Sequence, residues 1–116
     1  MNQALTDLQV FKAEFFRALA HPVRIRLLEE LANGSKTVHA LQESLGLDQP
    51  TVSQQLAVLR AKNLVVATKS GTSVHYAARD PLIHDLLMTA RAIFNNHLVD
   101  TQAMLSALAR ERRRKS

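Results

Sequence analysis

The stretch VHALQESLGLDQPTVSQQLAVLRAK, residues 38–62, constrains this chain more than any other. It reads as two short helices joined by a tight turn. Val38, Leu41 and Leu45 fall at helical spacing, with Thr37 in front as N-cap. Gly46 follows the last apolar residue, where a helix C-terminus favours a residue able to take positive φ. Asp48 caps the second helix, and Pro50 sits in its first turn, where a missing N–H costs little. Val52, Leu56 and Leu59 then form one apolar stripe. The remaining face carries Thr51, Ser53, Gln54, Gln55 and Arg60, with hydroxyls, amides and a guanidinium but no acid. Glutamine can bond adenine bidentately, arginine can bond guanine, and hydroxyls can meet bases or phosphates. The pattern is that of a helix that reads DNA.

The totals bound the rest. At 116 residues, 47% of them hydrophobic, the chain makes one domain with a modest core, for which dimerisation would bury further apolar surface. Its N-terminus mixes charge into its apolar stretch and lacks a small-residue cleavage site, and no apolar run is long enough for a bilayer. No membrane partner and a cytoplasmic location are therefore expected. Cysteine is absent, which excludes disulfides, thiolate metal sites and thiol redox sensing. Glycine occurs only singly, at Gly34, Gly46 and Gly71, so no phosphate-cradling loop exists, and no catalytic constellation can be assembled from spacing. No enzymatic activity and no cofactor are expected.

Charge is distributed unevenly. Five cations against Glu111 give the last seven residues +4 of the total +5, leaving +1 for residues 1–109. Residues 49–79 contain Arg60, Lys62, Lys69 and Arg79 and no acid. A locally basic segment on a near-neutral body suits a polyanion touching one face. The tail RERRRKS, residues 110–116, is expected as a disordered terminus outside the domain at 1–109, or alternatively as a source of sequence-independent phosphate contacts.

Around the central stretch, a first helix from about Ala4 to Leu19 places Leu5, Leu8, Phe11, Phe15, Phe16 and Leu19 at spacings near three and four. That stripe is wider than one small core needs. His21–Pro22 ends it and Pro22 opens the next helix, which Asn33–Gly34–Ser35 closes. After the helix–turn–helix, Leu64–Thr68 and Val74–Ala78 are β-rich and flank a Ser70–Gly71–Thr72 turn. Such a hairpin is a wing, able to reach phosphates or the minor groove with Lys69, Thr72, Ser73 and His75. Asp80–Pro81 opens a last helix that the apolar spacing carries to about Arg110, about 45 Å if unbroken at Asn95–Asn96. A helix this long projects past a small core, so a homodimer through the first and last helices follows. Its interface candidates are Leu8, Phe11 and Phe15 with Leu86, Ala90, Ile93, Phe94 and His97.

The order helix, helix, helix–turn–helix, hairpin, helix, mainly α with a small β-hairpin, resembles the ArsR/SmtB family of bacterial winged-helix repressors. The residues that carry the likeness are FFRALAHPVRIRLLEEL at 15–31, LGLDQPTVSQQLAVLRAKNLV at 45–65 and KSGTSVHYA at 69–77. The resemblance implies a homodimer that binds double-stranded DNA at an inverted-repeat operator, represses transcription, and is released by an inducer. It implies that Gln49, Thr51, Ser53, Gln54 and Gln55 face the major groove. It sets Arg60 and Lys62 toward the phosphates, with Lys69, Thr72 and Ser73 in the wing. The same scaffold could instead hold a protein partner without reading DNA, but protein interfaces centre on apolar and aromatic anchors that this polar face lacks.

The familiar metal sites of that family are not matched. Thr37, Val38 and His39 stand where the family's Cys-Val-Cys type of motif would fall. Asp80, Leu82, Ile93 and Asn96 stand where its Asp, His and His-x-x-Glu ligands on the last helix would fall. No metal site is expected from these positions, since zinc, nickel or cobalt needs several converging ligands. His97 and Asp100, an i,i+3 pair, could meet metal across a two-fold seam, but the pair reads more simply as polar surface. The inducer is therefore left open.

Overall fold

A computed structural model describes residues 3–115, with side chains from Thr6 onward, so the expectations for Leu5 as a packing residue and for Ser116 lie outside the described residues. Five helices and one hairpin follow in order: α1 (Gln3–Leu19), α2 (Pro22–Leu31), α3 (Val38–Leu45), α4 (Gln49–Ala61), β1 (Val65–Ser70), β2 (Ser73–Ala78) and α5 (Leu82–Lys115). By its contacts the chain divides into two compact units between His84 and Asp85, whereas the sequence sets its boundary at 109/110.

The helix ends are set by local chemistry. His21 caps α2: its Nδ1 accepts from the Val23 N–H at 3.1 Å, and Pro22 follows at the first position. Thr37 caps α3 through its hydroxyl, which accepts from the Ala40 N–H at 3.2 Å. Gly46 terminates α3 in the left-handed region (φ 66°, ψ 35°), and its N–H donates to the Gln42 carbonyl at 2.8 Å. Asp48 then opens α4, accepting from the Thr51 N–H at 2.8 Å. The turn between α3 and α4 is thus Gly46–Leu47–Asp48, one residue to stop a helix and one to start the next.

The core of the first unit takes one stripe from each element. Leu27, Leu28 and Leu31 of α2, Leu41 of α3, and Val52, Leu56 and Leu59 of α4 are buried. Ala18, Leu19, Leu64, Val65 and Ile83 complete the core. At about 25 cal/mol per Å2 of apolar surface, each fully buried leucine contributes on the order of 1.5–3 kcal/mol. That stripe fixes which face of α4 remains outside.

β1 and β2 are antiparallel, in register from Val65 opposite Ala78 to Ser70 opposite Ser73. β1 runs two residues and β2 one residue closer to the turn than the sequence suggests, because a two-residue loop, Gly71–Thr72, suffices. Gly71 has φ +62°, which costs glycine nothing. The other end of the hairpin is tied down by a bridge between Lys36 and Tyr76, whose backbone groups exchange hydrogen bonds of 2.9 and 2.8 Å.

The last helix is capped by Asp80, whose carboxylate accepts from the Leu82 N–H at 2.9 Å, and it begins at Leu82, with Pro81 in the preceding turn. It runs through Asn95–Asn96 without a break. Residues 110–115, expected as a disordered tail, continue it. That continuation has a physical basis. Arg112, Arg113, Arg114 and Lys115 occupy the last turn, where cations favour the helix dipole, and Lys115 pairs with Glu111 at 3.4 Å one turn back. At 1.5 Å per residue its 34 residues extend about 51 Å.

Candidate nucleic-acid interface

Burying Val52, Leu56 and Leu59 turns the opposite ridge of α4 outward, and that ridge is Pro50, Gln54, Ala57 and Ala61, all exposed. Gln54 is its one long polar side chain, and among the described residues it has no hydrogen-bond partner, so both amide atoms face solvent. Ala57 was not singled out by sequence reasoning. It lies one turn beyond Gln54, and its small side chain lets backbone and glutamine approach a surface closely. An alanine there also matches a thymine methyl. The signal that could have found it is the period of the exposed ridge.

The other candidates on α4 divide between two flanks. Gln49, Ser53 and Arg60 share one: Gln49 bonds the Ser53 hydroxyl at 2.7 Å, while Gln49 and Arg60 are exposed. Thr51 and Gln55 lie on the other, both half-buried. Gln55 is engaged there. Its Oε1 accepts from Arg24 Nη1 at 3.1 Å, across α2 and α4. Lys62, set toward the phosphates by the resemblance, is exposed and lies with Nζ 3.8 Å from the Glu14 carboxylate of α1. It lines a cleft of about 240 Å3 with Phe11, Phe15, Ala61 and Asn63.

Arg24 is the second residue that sequence reasoning missed. Its Nε donates to the Ala18 carbonyl at 2.6 Å and its Nη2 to the Arg17 carbonyl at 3.3 Å. One guanidinium therefore joins the end of α1 to the middle of α4. Nothing in the local pattern of α2 marks it, since its partners lie 6, 7 and 31 residues away.

Side chains directly opposite in an antiparallel pair share a face. Thr68, Ser70, Ser73 and His75 therefore lie on one side of the hairpin, and Lys69 lies on the other, opposite Val74. Thr72 is in the turn itself. Lys69, Thr72 and Ser73 are exposed and His75 is half-buried. The wing thus offers a cation on one side and hydroxyls with an imidazole on the other.

Electrostatically the surface is uniform: no acid occurs from Gln49 to Arg79. Asp48, the acid that precedes this segment, has its carboxyl held below the ordinary carboxylate range by the Thr51 hydroxyl and then the Thr51 N–H. Among the described residues no group of three or more His, Cys, Asp or Glu side chains is placed to hold a metal ion. His39 pairs with Glu43 at 3.0 Å on the outer face of α3. Of the interface candidates, Leu8, Phe11, Ile93, Phe94 and His97 are exposed, and Phe15, Leu86 and Ala90 are half-buried. No described helix is long and apolar enough to cross a membrane.

A three-helix core with α3–turn–α4, followed by a two-stranded wing, defines a winged helix-turn-helix DNA-binding protein. Residues 21–66 match the family model described as bacterial regulatory protein, arsR family. The chain is 43% identical over 98 residues to the HTH-type transcriptional regulator Rv0081 of Mycobacterium tuberculosis, spanning 84% of this chain and 86% of that protein. The crystal structure of Rv0081 superposes with a TM-score of 0.74 at 41% identity, covering 80% of this chain and 94% of that one. A homodimeric winged helix-turn-helix DNA-binding domain from Mycobacterium bovis gives a TM-score of 0.76 at 26% identity, over 84% and 91%. The biofilm growth-associated repressor of Xylella fastidiosa is 33% identical over 82 residues, 71% of this chain and 72% of that protein. The chain belongs to the arsR family of bacterial regulatory proteins, and it is a DNA-binding transcriptional regulator.

Proposed function

We propose that this regulator is a repressor that binds an inverted-repeat operator as a homodimer, with α4 of each protomer in the major groove and each wing on the flanking backbone. The observation that carries the reading is the outward ridge of α4, where an unpartnered Gln54 stands among small residues on an acid-free surface. Gln49, Thr51, Ser53, Gln55 and Arg60 flank that ridge. In this reading Gln54 and its neighbours select bases, while Arg60, Lys69, Thr72, Ser73 and His75 meet phosphates or the adjoining minor groove. Lys62 stays with Glu14 and supports the helix end. The exposed stripes of α1 and α5, with Leu8, Phe11, Phe15, Leu86, Ala90, Ile93, Phe94 and His97, supply the dimer surface. The M. bovis domain, described as homodimeric, and the X. fastidiosa repressor support both halves of the proposal.

The test is selection of bound sequences from a random duplex pool, followed by affinity measurement on the selected site. Gln54→Ala is expected to cost about 1–3 kcal/mol on that site and much less on scrambled DNA, with unchanged thermal stability. A selected pool without dyad symmetry, or a Gln54→Ala variant that binds both DNAs as the parent does, would overturn the reading.

A further inference from the structure

The bond between Arg24 and Gln55 settles the orientation of an amide. A guanidinium only donates, so the glutamine atom that faces it at 3.1 Å is the carbonyl oxygen. In a planar amide Nε2 then points away from Arg24. Gln49 is not fixed this way, because its partner, the Ser53 hydroxyl, either donates or accepts. Arg24 is itself anchored by the Arg17 and Ala18 carbonyls. These belong to the last turn of α1, where the Arg17 carbonyl also accepts from the Ala20 N–H at 3.1 Å. Two donors of a rigid fork are thus committed to backbone, and a third aims at α4. One residue earlier, Gln54 is exposed with both amide atoms available.

We propose that Arg24 is a positioning residue that makes Gln55 a donor-only contact to DNA. With Oε1 turned toward Arg24, Gln55 presents N–H to an acceptor, best to guanine O6 and N7 or thymine O4 and to adenine only through N7, and the adenine contact that needs both amide atoms falls to Gln54. The two adjacent glutamines are chemically alike in sequence and different in what they read. This assignment rests on α4 being the base-reading helix.

The experiment is sequence selection from a random duplex pool with the full chain and three variants, alongside thermal unfolding. Arg24→Met keeps the apolar stem and frees Oε1. It is expected to move one base position in each half-site from guanine or thymine toward adenine, a change that a merely structural role would not produce. Gln55→Glu keeps an acceptor for Arg24 and removes the outward donor. It is expected to fold, to lose preference at that same position, and to bind the selected site about tenfold or more weakly. Gln54→Ala is expected to alter a different position. If Gln54→Ala changes the profile while Arg24→Met and Gln55→Glu leave theirs at the parent's, the clamp is overturned and the reading of α4 stands. If none of the three changes any position, α4 does not read bases and both fall. Should Arg24→Met fail to fold, Gln55→Glu alone decides: an unchanged preference overturns the proposal and a lost one supports it.

Discussion

Asp48 does two jobs with one side chain. Its carboxylate accepts from the Thr51 N–H at the start of α4, and it immediately precedes the acid-free segment assigned to DNA. Folding lowers its pKa, through the Thr51 hydroxyl first and the Thr51 N–H second. Its contribution to stability is therefore fully present above the unfolded carboxylate pKa, about 4, and is lost as pH falls through the depressed folded value. Asn caps as well as Asp and does not titrate. Urea midpoints of the parent and Asp48→Asn are expected to converge, or to cross in favour of the variant, as pH falls from 7 to 3. At neutral pH, removing the negative charge beside α4 is expected to tighten binding to any duplex. Parallel midpoints across that range would show that the cap does not depend on ionisation.

At the scale of elements, the chain's punctuation predicts the fold almost residue by residue. Thr37, Gly46, Asp48, Pro50 and Asp80 act where their chemistry places them, because a cap needs only neighbours within four residues. The buried stripe of α4 was legible for the same reason, since period 3.6 is local. Gln55 and Lys62 were not. Gln55 lies on α4 and Lys62 at its C-cap, and their partners are Arg24 from α2 and Glu14 from α1, contacts that no local pattern encodes. The end of α5 was missed for a different reason. A run of arginines reads as disorder by composition, yet in the last turn of a helix it is favoured by the dipole.

Two changes test elements in isolation. A Cβ at Gly46 would meet nothing within 4 Å, so Gly46→Ala carries only the cost of φ 66°, about 1 kcal/mol by chemical denaturation. A much larger loss would mean that the α3–α4 turn itself rearranges. Lys69→Ala removes an exposed cation from the wing without touching the core. It is expected to weaken binding to all sequences and to reduce the slope of log affinity against log salt by about 1 per protomer. An unchanged slope would take the wing off the backbone.

For the molecule as a whole, the governing quantity is apolar surface left open. Leu8, Val10, Phe11 and Phe16 of α1 are roughly half or more exposed, as are Ile93, Phe94, Leu98, Val99, Met104, Leu105 and Leu108 of α5. Small soluble monomers rarely expose large contiguous apolar patches, and each of the two stripes, taken by itself, is a surface for another molecule to cover. Along α5 the residues Phe94, Leu98, Leu105 and Leu108 recur at spacings of four, seven and three, which keeps them near one stripe suited to a second helix. Phe94 is 64% exposed, so Phe94→Glu removes no core contact and is expected to leave the unfolding of the first unit unchanged. It places a charge where a partner would pack, and sedimentation is expected to shift from dimer to monomer. Each reading helix then binds alone. The loss of linkage between two half-sites is worth a factor of about 10² to 10⁴ in affinity for a two-fold operator, while binding to a single half-site changes little. That contrast separates a broken dimer from a broken reader. A Phe94→Glu protein that stays dimeric and binds the full operator as the parent does would remove the terminal helix from the interface.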